Sequence, residues 1–354
     1  MKIRNQFGQA RGDVDGPHLT NRRTALAMLG AAGAVAAMPS AHAQARVTLR
    51  LSTWGASKAP QVSAFVGRFQ SMVQKASNGA IAIQNFPDGA LVNERAVPSA
   101  IQSNVVDISL TTMGSWSSIA PEAGVLNTVF FKPTAQNFEK TIGPGTALFN
   151  RLDAGMSKHG AKMLCVLYNG PVVVVSRQPF TTPQSFQGKT VRVFDKLTAN
   201  IVQTLGGAPS TIEVADVYPA LERGTVAGAI GGLEGAIGLK EYEVAKNVLA
   251  TNGVFGLLIT GYVMNAGKYN SLPPDLQKVV IDAAYKAGTE ANAAMVAAYG
   301  GELDEMRQHG AKVTVLEPGS AVYQAFTQAL APLAKSQEAA FDPQLVAQVV
   351  AAQK

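Results

Sequence analysis

Thr182-Pro183-Gln184-Ser185-Phe186-Gln187-Gly188-Lys189-Thr190-Val191-Arg192-Val193 reads as a turn feeding a short strand. Alternation along that strand places Val191 and Val193 on one face and Arg192 on the other. A helix follows from Leu197, with Ile201, Val202 and Leu205 on one side and a stop at Gly206-Gly207. A second short helix around Val217 and Leu221 ends at Gly224, and the run Thr225 to Gly232 is strand-like with glycines that let a backbone approach another group closely. Arg192 has two readings here. It is a strand arginine facing water, or it holds an anion, because a guanidinium stays charged and grips a carboxylate with two parallel hydrogen bonds.

Working outward, strands and helices alternate on both sides of this stretch. Val47 to Ser52 alternates as a first strand, and Val62, Phe65, Val66, Phe69, Met72 and Val73 recur with helical spacing before Asn78-Gly79. Ile81 to Asn85 is a second strand, a short helix carries Glu94 and Arg95, and Val105 to Thr112 is a third strand. Pro144 to His159 is helical and precedes a strand around Cys165. This order predicts an α/β chain with mainly parallel sheets, and the turn containing Trp54 lies at a strand's C-terminal end, where such sheets place ligands. Trp54 is there a pocket wall or a core residue.

From Pro171 the chain starts a new unit with the β-branched run Val172 to Val175, and Val254 to Met264 returns it to the first. After Pro273-Pro274 apolar positions run from Leu276 through Met306, which predicts a helix about 45 Å long, enough to brace two lobes. Val313 and Val315 mark a last strand, and Val346, Val349 and Val350 a terminal helix. The expected partition is 44–169 with 258–297 as one lobe and 170–257 with 298–354 as the other.

Residues 1–43 read as an export signal: Arg22-Arg23, an apolar run from Ala25 to Met38, then Ala41-His42-Ala43. The arginine pair favours the twin-arginine route, and the run is too short to span a bilayer. The expected location is the periplasm, with cleavage near Ala43. Of the formal net charge of +6, the leader's five basic and two acidic residues supply three, so the remaining 311 residues carry +3. No Lys/Arg cluster with interleaved aromatics occurs, so nucleic acid is not an expected partner.

The single cysteine, Cys165, has no disulfide partner within the chain and sits in an apolar run as a small hydrophobe. Of four histidines only His159 and His309 lie beyond the leader, each beside a glycine near a helix end. Gly188-Lys189-Thr190 resembles the end of a phosphate loop, but Pro183 stands where its first glycine belongs. There is no G-x-G-x-x-G after a strand, no G-x-S-x-G and no His/Cys/carboxylate group with metal spacing, so neither cofactor nor metal is expected. An enzyme relying on two paired carboxylates stays open.

The runs V-T-L-R-L-S, S-N-G-A-I-A-I, F-P-D-G-A-L-V-N-E, V-V-D-I-S-L, P-x-S-F-Q-G-K-T-V-R-V and A-D-V-Y-P-A-L-E-R-G-T-V-A-G, in this order, resemble the DctP-type solute receptors of TRAP transporters. The likeness covers nearly all of the chain beyond residue 43. It implies a type II periplasmic-binding-protein-like fold, two α/β lobes around an interlobe cleft, and delivery of an organic carboxylate to the permease subunits of a TRAP transporter, with no chemistry performed. A receptor feeding a sensor would look the same. The family's carboxylate clamp falls on Arg192 and its cleft acid on Glu94.

Two departures bear on the ligand. Many relatives have a second arginine shortly after the pair corresponding to Asn169-Gly170, where this chain has Pro171-Val172; their D-G-x-x-N is here Ala227-Gly228-Ala229-Ile230-Gly231. Charge-assisted hydrogen bonds give roughly 1.5–3 kcal/mol each, whereas micromolar binding needs about 8 kcal/mol, so apolar enclosure must supply the rest. The expected ligand is therefore a monocarboxylate with an apolar or aromatic body, gripped by Arg192 and bordered by Glu94, Trp54, Trp116, Asn169, Val172, Phe194, Asp195 and Gly231. On this reading Arg192→Ala removes binding and leaves stability unchanged. A monomer is the expected state, since no long exposed apolar helix face is legible.

Overall fold

Two sheets, each covered on both faces, make up the computed structural model, which describes residues 47–353. The expected leader lies outside these residues. The first sheet contains β1 (Val47–Ser52), β2 (Ile81–Phe86), β3 (Ile108–Thr112), β4 (Ala161–Pro171) and β10 (Leu257–Asn265), in the order β2-β1-β3-β10-β4. The second contains β5 (Val173–Ser176), β6 (Thr190–Val193), β7 (Ala208–Thr211), β8 (Gly228–Gly231), β9 (Asn247–Ala250) and β11 (Lys312–Val315), in the order β11-β9-β5-β8-β6-β7.

The sheets are mixed and not mainly parallel. β10 runs antiparallel to β3 and β4, and β5 runs antiparallel to β8 and β9. Both reversals come from strands that arrive from the other sheet: β4 passes into β5 through Pro171-Val172, and β9 passes back into β10 through residues 251–256. A strand entering from a neighbouring unit is not tied to the right-handed crossover that keeps local βαβ units parallel. Proline in β7 is tolerated because β7 is an edge strand.

Alternation packs each sheet on two clusters. In the first, Leu49, Leu51, Ile81 and Leu110 face Phe65, Phe69 and the long helix, while Val166, Tyr168, Ile259 and Val263 face Phe138, Phe149 and Trp116. In the second, Val174, Val191, Val193 and Ile230 face Phe186, Phe255 and Phe326, and Val173, Val175 and Ala229 face Leu221, Leu233 and Tyr242.

The expected bracing helix is Pro274–Gln308. Val280, Ala284, Ala287 and Ala291 lie on the first sheet, and a Cβ at Gly288 would sit 2.7 Å from that of Cys165, so glycine allows the helix to seat on β4. Met306, Tyr299 and Leu303 pack with the second sheet. Asn292, 4% exposed, ties the helix to β4: its Oδ1 accepts from the Tyr168 amide at 2.8 Å and its Nδ2 donates to the Val166 carbonyl at 3.0 Å. Tyr168 lies beside the irregular register between Leu257 and Ile259 of β10.

Two features differ from the expected partition. The helix Pro343–Ala352 buries Leu345 and Val349 against Phe138 and Phe149 of the first unit, not in the second unit to which 298–354 was assigned. The helix Ala321–Ala339, with Phe326 and Leu330 packed on the second sheet, had no clear sequence signal because its alanines and Pro332 blur the apolar period. Among the described residues no helix is long and apolar enough to cross a membrane.

Candidate functional site

Strand alternation puts Arg192 on the face opposite Val191 and Val193, in register with Ala229 of β8. The side chain is 5% exposed and is not a surface arginine. Its Nε donates to the Ile212 carbonyl and Nη1 to the Ile230 carbonyl, each at 3.0 Å. Among the described residues Nη2 makes no hydrogen bond, so two backbone oxygens aim the guanidinium and leave one edge for another acceptor. A Cβ at Gly231 would lie 3.8 Å from Nη1, so that glycine leaves a space one small group wide beside the charge.

Phe194 and Asp195 follow directly on β6. The guanidinium lies 5.8 Å from the Phe194 ring centre, a favourable cation–π arrangement. Asp195 caps the helix Lys196–Thr204, accepting from the Thr198 amide at 2.8 Å and its hydroxyl at 2.7 Å. Phe194 and Asp195 border a recess of about 200 Å³, open solvent included, with Thr112, Asn127, Leu126 and Leu257 to Ile259. The first unit thus supplies an apolar wall and two polar groups, and the second supplies Phe194 and Asp195.

Glu94 reaches this place from the first unit. It is half-buried and lies in the fields of Arg192, Asp195 and Glu213. Burial pushes its carboxyl up to about 7, against the opposing influence of Thr112 and the positive charge of Arg192. Burial also raises Asp195, opposed by Thr198, Asn127 and Arg192, and lowers Arg192 against the pull of Glu241, Glu94, Asp195 and Glu213. Beside Glu94, Arg95 pairs across the opening with Glu213 at 3.0 Å, an exposed pair worth at most about 1 kcal/mol.

A second recess, of about 250 Å³, lies at the crossover, bordered by Tyr168, Asn169, Gly170, Glu234, Tyr299 and Glu302 among others. Asn169 sits here: its Nδ2 donates to Glu234 across the two units at 3.3 Å, and its Oδ1 accepts from the Thr260 hydroxyl at 2.6 Å. Burial lifts Glu234 to about 7.

The structure therefore brings together Arg192, Glu94, Phe194, Asp195 and Gly231. Trp54 is half-buried, packs on both clusters of the first sheet, and its buried Nε1 has no partner among the described residues. Two expected wall residues are core residues instead. Trp116 is fully buried among Phe130, Phe149 and Val125, its Nε1 donating to Thr111 Oγ1 at 3.0 Å. Val172 is 1% exposed in the second sheet's cluster, and its carbonyl accepts from Thr251 Oγ1 at 2.6 Å. Nor is the site as dry as the missing polar residues implied, since Glu94, Asp195, Glu213 and Glu241 all act on one guanidinium. Glu213 and Glu241 belong to single 3-10 turns or their flanks, which carry no periodic signal.

The family described as bacterial extracellular solute-binding protein, family 7, matches residues 51–340. A solute-binding protein of Sulfitobacter sp. (strain NAS-14.1) is 29% identical over 296 residues, 82% of this chain and 84% of that protein. A TRAP periplasmic solute-binding protein from Ralstonia eutropha H16, solved with bound (S)-2-acetolactate, superposes with a TM-score of 0.78 at 23% identity, over 86% of this chain and 98% of that one. One from Roseobacter denitrificans, solved with bound β-D-glucuronate, gives 0.77 at 22% identity, over 86% and 99%.

Proposed function

The chain belongs to the bacterial extracellular solute-binding proteins of family 7, which are receptors and not enzymes, and on that premise we infer that it captures a compact organic monocarboxylate at Arg192 for a TRAP-type transporter. The observation that carries this reading is the guanidinium fixed by two backbone carbonyls, with Nη2 free, 5.8 Å from the ring of Phe194, which with Leu126, Leu257, Leu258 and Ile259 walls a recess. The carboxylate occupies the free edge, and an apolar or aromatic body lies against the leucines. Gly231, where many relatives carry a polar residue, favours such a body over a polyhydroxylated one.

In this reading the lobes are 47–170 with 257–297 and 341–353, and 172–256 with 298–339. They turn about Pro171-Val172 and residues 251–256, with the long helix as the brace. Closure excludes water and strengthens the arginine–carboxylate contact, and the closed form is the shape that the membrane subunits recognise. The protein works in the periplasm, exported through residues 1–43 by the twin-arginine route.

The test is a thermal-shift screen of organic acids. At a ligand concentration of about 100 Kd the stabilisation is about 2.7 kcal/mol, a rise of about 4 °C for a body of about 300 residues. Branched or aromatic 2-oxo monocarboxylates should give it, and β-D-glucuronate should not. Equal shifts with both classes overturn the apolar body, and an unchanged shift in an Arg192→Gln variant overturns the clamp.

A further inference from the structure

The recess beside the clamp has an apolar wall and a polar one, and the capture just described uses only the first. The polar groups are Thr112, Asn127 and Asp195. Thr112 is 4% exposed and its hydroxyl is engaged with Ser115 Oγ at 3.1 Å. Asp195 turns one oxygen to the Thr198 amide and hydroxyl, and its other oxygen makes no hydrogen bond among the described residues. Asn127 is half-buried and lies near enough to Asp195 to oppose the rise of that carboxyl. Its side-chain amide otherwise has no partner among the described residues.

The neighbours of Asn127 hold it in place. It ends the 3-10 helix Pro121–Leu126, its backbone amide donating to the Gly124 carbonyl at 2.9 Å. Leu126 and Thr128 on either side are both buried, and the Thr128 hydroxyl donates to the Val125 carbonyl at 2.8 Å and accepts from the Phe131 amide at 3.2 Å. A Cβ on Gly114 would lie 2.6 Å from Asn127 Nδ2 and 2.8 Å from its Cγ, so the amide fits because a glycine stands there. A polar group fixed in this way, with donor and acceptor open to a recess, discriminates between ligands.

The Phe194 ring, 5.8 Å from the Arg192 guanidinium, borders the same recess as Asn127 and Asp195. A carboxylate on the free edge of Arg192 therefore sets its neighbouring carbon at the mouth of that recess. We propose that Asn127 is a specificity-determining residue that reads a hydroxyl on this carbon, its amide donating to the hydroxyl oxygen while the hydroxyl donates to Asp195. The ligand class is then the 2-hydroxy monocarboxylates with an apolar body. A hydroxyl accepts and donates, so it satisfies the amide and the carboxylate together; a 2-oxo oxygen satisfies the amide alone, and a hydrogen atom satisfies neither. This rests on the reading of Arg192 as the clamp.

The experiment is calorimetric titration of the exported chain with three acids of one carbon skeleton, 2-hydroxy-3-methylbutanoate, 3-methyl-2-oxobutanoate and 3-methylbutanoate, all ionised at pH 7. The hydroxy acid should bind about a hundredfold tighter than 3-methylbutanoate, and the oxo acid about tenfold tighter. In an N127L variant, or N127A should leucine not fold, these ratios should fall to about tenfold and about one, with the affinity for 3-methylbutanoate unchanged. Gly114→Ala leaves Asn127 in the chain but displaces its amide, and it should give the same loss. Equal binding of the three acids by the wild type, or wild-type ratios kept in both the Asn127 and the Gly114 variants, overturns the proposal and leaves the clamp standing. If none of the three acids binds the wild type, the clamp itself is overturned, and the proposal with it.

Discussion

Truncating Arg192 to alanine should destabilise the empty protein as well as remove binding, contrary to what a strand arginine on a cleft wall would predict. The side chain is 5% exposed and donates at 3.0 Å to the carbonyls of Ile212 and Ile230. Alanine leaves both oxygens without their donor. A buried acceptor so orphaned costs about 1–3 kcal/mol, and loss of the guanidinium also leaves Glu241 and Glu94 without their cation. Those two acids relieve part of that cost by protonating, so the net loss is about 3–5 kcal/mol. With an unfolding entropy of about 2 cal/mol/K per residue over about 300 residues, each kcal/mol moves the midpoint by about 1.5 °C. The Arg192→Ala protein should therefore melt about 5–8 °C lower, measured by calorimetry at pH 7 without ligand. A midpoint within about 1 °C of wild type would show that the guanidinium does not hold the two carbonyls, and the account of how it is aimed would fall.

Stability should decline as pH rises. Glu94, Glu234 and Glu241 each have a folded carboxyl near about 7 against an ordinary 4.5, raised by burial. A raised acid contributes stability that is complete below its ordinary value and lost as pH climbs through the folded one, so the melting temperature of the empty protein should fall between about pH 5 and pH 7.5. A flat or rising profile there would contradict their burial. Gly170 has φ +86°, and a Cβ on it would lie 2.8 Å from Tyr299 Cε2. Gly170→Ala should cost about 1–3 kcal/mol at the crossover between the sheets, and an alanine protein as stable as wild type in denaturant titration would refute the close approach.

Much of this architecture is legible in sequence because it rests on short-range patterns. The strand Val47–Ser52 appears as expected, the long helix follows its apolar spacing after Pro273-Pro274, and β6 follows the Gly188-Lys189 turn with Arg192 opposite Val191 and Val193. The family likeness rests on such runs in order, and it singled out Arg192 and Glu94. Period and turn chemistry are local, and a single chain displays them in full.

What only the tertiary structure decided is which groups meet. Trp116 and Val172 carry the same residue types as a pocket wall would, yet packing buries both in separate cores, because an apolar side chain is indifferent to which apolar surface covers it. The antiparallel courses of β5 and β10 depend on the crossing of the chain between sheets, and the seat of the last helix depends on where the cluster around Phe138 was left open. Glu241 shows the same limit at the level of charge. Nothing in its local sequence marks it, and only folding buries it and brings it, with Glu94, Asp195 and Glu213, into the field of a guanidinium from a distant strand.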